Sequence, residues 1–118
     1  MAEAAMQQRV YAMGPAEIGI VDGLPTIRGE CDLSNAAEIE CWLNSFGRAA
    51  IDVDLSGVTF FGAAALRALL AAWRRNPNLR IVEPSPIVRR VLDLSGTSAC
   101  LVHGHDTFVA AALRRQEL

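Results

Sequence analysis

Apolar and polar residues first alternate at Ile18, Ile20, Leu24 and Thr26, on either side of Asp22-Gly23. That dipeptide supplies positive φ readily, so the pattern predicts a tight β-hairpin. Upstream, residues 1–13 are rich in Ala and Gln without clear periodicity and run into Gly14-Pro15, which predicts a loose tail or a weak edge strand. Downstream, residues 29–34 read as a loop. Asn35 with Glu38 three positions on then has the layout of a capping box that opens a helix. Ile39, Trp42, Leu43 and Phe46 follow at helical spacing, up to a Gly47 placed for a left-handed stop.

The second half repeats this alternation of elements. Residues 50–55 predict a strand with Ile51, Val53 and Leu55 on one face, and residues 56–61 a connection. A helix is expected over 62–75, with Ala63, Leu66, Leu69, Leu70 and Trp73 as its apolar stripe, ended by Asn76-Pro77-Asn78. Residues 79–83 predict a short strand. Pro84-Ser85-Pro86 opens a third helix with Val88, Val91 and Leu92 inward, running to Gly96. Residues 100–103 predict one more strand, and Asp106 a cap for a last helix over 107–115. Strand and helix in turn imply an α/β fold: a mixed, mostly parallel sheet with an antiparallel N-terminal hairpin and about four helices. The tripeptide Asp-Leu-Ser recurs at 32, 54 and 93, but at unequal intervals that argue against a repeat.

Length keeps this to a single domain over 1–118, and 52% hydrophobic with 20% charged residues suits a globular core. Eleven basic residues, all Arg, face thirteen acidic ones for a net charge of −2, so no positive field gathers nucleic acid. Three cysteines, Cys31, Cys41 and Cys100, have neither C-x-x-C nor zinc-ligand spacing and fit a reducing compartment. The start lacks the basic and apolar run of a secretory signal. The most apolar window, 58–73, is short for a membrane span and carries Arg67. A soluble, cytoplasmic protein is the expectation.

Candidate chemistry is sparse. No phosphate-binding glycine loop follows a strand, and a chain without lysine has no P-loop. His103 and His105 sit two apart at a strand end, and Asp106 is expected to cap, so no metal is implied. Asp52 and Asp54 share a strand face and read as acids on its less buried side rather than as an acid/base pair. No enzyme, cofactor or metal is expected. The unusual feature is the junction from Thr59 through Phe60, Phe61, Gly62, Ala63, Ala64 and Ala65 to Leu66. A helix start usually carries Ser, Thr, Asp or Asn, but Gly62 and three alanines offer no side-chain oxygen.

Three stretches carry a family resemblance: residues 27–34 (IRGECDLS), similar to a G-E-x-D-x-S/T loop; residues 51–60 (IDVDLSGVTF), similar to a central strand; and residues 81–96 (IVEPSPIVRRVLDLSG), similar to a third-helix segment. In that order they resemble the STAS domain of sulphate transporters and anti-sigma factor antagonists, over roughly residues 18–113. The family's D-S-S-G-L motif, whose second serine is usually phosphorylated by a cognate kinase, falls on Gly62-Ala63-Ala64-Ala65-Leu66, where only the leucine is kept.

The resemblance therefore implies a degenerate phosphorylation position at Ala64 and a partner-binding surface made by Asp32 and Ser34 with Thr59, Phe61, Gly62, Ala63, Ala64, Ala65 and Arg67. A methyl cannot accept phosphate, so the switch should be missing while docking remains. The implied partner is an anti-sigma factor of the histidine-kinase-like ATPase fold. The alternative is that the chain serves as an accessory STAS subunit of a lipid-transport ABC ATPase complex. The helix start is expected to form a shallow convex surface rather than a hydrated pocket. Ser34, Thr59, Ser95 and Thr97 are expected to be cap or turn residues.

Overall fold

Asp22 and Gly23 both take positive φ, 51° and 79°, which is what a two-residue hairpin turn of the twisted kind requires. They join β2 (Ala16–Val21) to β3 (Leu24–Cys31) in an antiparallel pair that starts at Val21 and Leu24. β1 (Gln8–Met13) pairs antiparallel outside β2, the weak edge strand of the two expected alternatives. The computed structural model describes residues 8–102. His103, His105, Asp106 and the helix expected over 107–115 lie outside the described residues.

Among the described residues, β4 (Ile51–Phe61) and β5 (Leu79–Pro84) bring the sheet to five strands in the order β1-β2-β3-β4-β5, and the β3–β4 and β4–β5 pairs are parallel. After the parallel strands come α1 (Ala36–Asn44), α2 (Ala63–Arg75) and α3 (Pro86–Ser95), with a single turn α4 (Ser98–Leu101). The result is the mixed α/β architecture expected. α3 has the boundaries its sequence advertises: Ser85 Oγ accepts from Val88 N, Pro86 is its first residue, and Gly96 closes it at φ 76°.

Several expectations need correction. Residues 56–61 are strand, not connection. β4 is shifted against β3 between Thr26 and Arg28 and again between Gly29 and Glu30, so its inward series runs Val53, Leu55, Val58, Phe61. Each bulge adds a residue and breaks the period of two. β3 likewise runs through the expected loop as far as Cys31, crossing Gly29 at φ 96°, where a Cβ would lie 2.7 Å from the Pro15 carbonyl oxygen. Cys100 and Leu101 form a helical turn instead of a strand, held by Leu101 N and Val102 N donating to Thr97 O and Ser98 O. Among the described residues, the parallel contact expected there is the bridge from Val102 to Ile81.

α2 is also turned relative to its leucines. Ala65, Ala68, Leu69 and Ala72 are buried, Leu66, Leu70 and Trp73 sit at the margin, and Ala63 is exposed. α2 packs against α1, and methyl-sized side chains on the inward face allow that close approach.

Two buried asparagines staple the ends of the sheet. Asn35 Nδ2 donates to Met13 O at 3.0 Å and to Glu30 O at 2.9 Å, and its Oδ1 accepts from Asp32 N at 2.9 Å. The expected capping box is therefore not formed, since Asn35 makes no side-chain cap bond to α1. Its side chain instead binds backbone groups of other segments, where burial makes an unmet hydrogen bond more costly than at a helix amide within reach of water. At the opposite end, Asn76 Nδ2 donates to Ala49 O at 2.8 Å while its Oδ1 accepts from Asn78 N at 3.1 Å.

Candidate functional site

β3 and β4 end side by side, with Cys31 paired to Phe61 and Gly62 N donating to Cys31 O at 3.0 Å. The chain leaves both strands at this edge, as the turn 32–35 and as α2. Open α/β sheets gather their binding groups at such carboxyl ends. Asp32 thereby follows Cys31 at the edge where Gly62 leads into α2, whereas Ser34 is turned toward the β1–β2 turn, its Oγ 3.7 Å from where a Cβ on Gly14 would lie. Asp32 Oδ1 accepts from Ser34 N at 2.9 Å and from Ser34 Oγ at 2.6 Å, so Ser34 is a turn residue, as expected.

Gly62 precedes α2 in extended backbone (φ −84°, ψ 176°), and the first turn carries neither a side-chain cap nor an acid. Ala63 is exposed and Ala64 half-buried, while Thr59 and Arg67 are exposed. Phe61 and Ala65 do not belong to this surface: they are 7% and 1% exposed and face the core. Phe61 is the last inward residue of β4, and Ala65 lies on the inward face of α2.

Of the two adjacent phenylalanines, the one that reaches solvent is Phe60, 49% exposed. Neighbours on a strand point to opposite faces, so reading the strand through residue 61 would have marked one of the two phenylalanines as outward. A Cβ on Gly62 would come within 3.1 Å of Phe60 Cε2. The missing side chain at the head of α2 thus makes room for this ring.

The surface beside the helix start is a groove rather than convex. It lies between α1 and α2 with a volume of about 570 Å³, is lined by Ala64, Ala68 and Ala71, and is flanked by Glu40 on one side and by Arg67 and Arg74 on the other. Leu33, 82% exposed, also lines it. Asp52 is exposed, and half-buried Asp54 accepts from Ser56 N at 2.8 Å, a local turn role. Among the described residues no group of three or more His, Cys, Asp or Glu could hold a metal, and no helix is long and apolar enough to cross a membrane.

Burial pushes the Cys31 thiol up to about 11, and the nearby Asp32 carboxylate adds to the shift. Cys41 and Cys100 are exposed. A neutral-pH thiol reagent should therefore modify Cys41 and Cys100 in the native protein and reach Cys31 only on unfolding, which a thiol count with and without denaturant checks. The unfolded thiol ionises near 9 and the folded one near 11. The stability contributed by neutral Cys31 is thus complete below pH 9 and lost as pH rises from 9 to 11, a decline that Cys31→Ala should flatten.

The model of the STAS domain family matches residues 19–111. The crystal structure of an anti-sigma factor antagonist from Mycobacterium paratuberculosis is similar in fold, with a TM-score of 0.56 and 24% identity, over 80% of this chain and 89% of that one. No curated protein sequence matches significantly.

Proposed function

Since the chain belongs to the STAS domain family, we propose that it is a non-catalytic docking protein of the anti-sigma factor antagonist kind, with no phosphorylation switch at the usual serine. Its partner is an anti-sigma factor of the histidine-kinase-like ATPase fold. The observation that carries this reading is the first turn of α2, accessible at Ala63 and Ala64 yet without a hydroxyl. Phe60 supplies an aromatic anchor beside it and Arg67 a charge, the residue types that dominate docking energies.

Ala64→Ser tests the reading. The uncapped amides of α2 favour an anion at this turn, so the serine should take up phosphate from an anti-sigma kinase and ATP. About −1.5 to −2 charges placed there should then release the partner. Mass spectrometry should find the phosphate at position 64 of the variant and none on the parent. A serine that stays unmodified while the kinase phosphorylates its own antagonist would remove the assignment of position 64. Capture of a membrane ATPase in place of an anti-sigma factor would favour the accessory-subunit role in lipid transport.

A further inference from the structure

The groove between α1 and α2 is self-complementary in charge. α1 carries Glu38 and Glu40 and no basic residue, whereas α2 carries Arg67, Arg74 and Arg75 and no acidic one. Glu40 flanks the groove opposite Arg67 and Arg74, yet among the described residues none of the three forms an ion pair. We propose that a second copy of this chain docks in this groove, about a two-fold axis running along it.

Because β3 and β4 are parallel and each is followed by its helix, α1 and α2 run in the same direction on either side of the groove. An axis along the groove exchanges its two sides. It lays the acidic α1 of each copy on the basic α2 of the other, and every contact occurs twice, as an isologous interface requires. Glu40 then meets Arg67 and Arg74 of the second copy. The exposed Leu33 comes over the alanine-lined end beside Ala64, where methyl groups leave room for it.

The dimer stands on the groove alone. A consequence of it rests on the docking reading above: self-association covers Ala64 and Arg67 and so competes with the partner, a control that depends on concentration and needs no phosphate.

Sedimentation of the whole protein over a concentration series tests the dimer. Glu40→Arg makes both sides of the groove basic, and the double variant Arg67→Glu with Arg74→Glu makes both acidic. Each variant alone should associate at least about tenfold more weakly than the parent, since like charges now meet. An equimolar mixture should recover a heterodimer, because both opposed pairs are restored, and that recovery also shows that both variants are folded. The association should weaken as salt is raised. A parent that stays monomeric at about 1 mM, a dimer indifferent to both changes, or variants that stay apart when mixed would each overturn the proposal. If the heterodimer forms and no ATPase binds, the groove assignment stands and the docking reading fails. If an ATPase binds and the parent never dimerises, the reverse holds.

Discussion

Asn35→Ala should lower folding stability by about 3 kcal/mol, because it removes three hydrogen bonds from a site with no exposure and leaves their backbone partners unpaired. For a domain of this size that is a fall of about 10–15 °C in Tm. The loss is large because one side chain ties three segments: the end of β1 through Met13, the end of β3 through Glu30, and the turn before α1 through Asp32. Ser34→Ala, one residue away but exposed, should stay within about 1 kcal/mol of the parent. Thermal melts of the two variants side by side check this, and equal losses would contradict the staple.

The second large effect concerns docking. Phe60→Ala should weaken partner binding by about 2 kcal/mol, roughly 30-fold, because a half-exposed aromatic beside the open helix start is the kind of anchor on which interface energy concentrates. Arg67→Glu should act mainly on the association rate and its salt dependence. Leu94→Ala, equally apolar but exposed on α3, serves as the control and should leave affinity unchanged. Titration calorimetry with the anti-sigma partner separates the three. A loss at Leu94 matching that at Phe60 would move the docking face to α3.

What the sequence reveals here depends on how local the determining interaction is. The hairpin rests on Asp22-Gly23 and the ends of α3 on Ser85, Pro86 and Gly96, all acting within a few residues, and each is legible without coordinates. β4 looked half its true length because its bulges sit against β3, and a strand's own residues do not announce a register slip in its pairing. The phase of α2 was hidden because leucine dominates any apolar stripe read from sequence, whereas close packing on α1 selects alanine for the inside. Asn35 read as a helix cap because its real partner Met13 lies 22 residues away.

The candidate site divides in the same way. Ala63, Ala64 and Arg67 could be placed at the head of α2 from the motif alignment. Phe61 is expected on the docking surface and Phe60 is not, because the strand is read as ending at residue 55, whereas it runs on to Phe61 and turns Phe61 inward and Phe60 outward. The groove against α1 is a tertiary product, since its two sides come from segments separated by β4.

The central claim is that the head of α2 docks a protein partner and cannot be switched there by phosphate. Its most direct test is to hold the unaltered chain with the proposed partner, an anti-sigma ATPase, and ATP, following complex and phosphate together over time. A complex that persists with no phosphate on the chain is the predicted result. Phosphate appearing on the chain as the complex dissociates would contradict it.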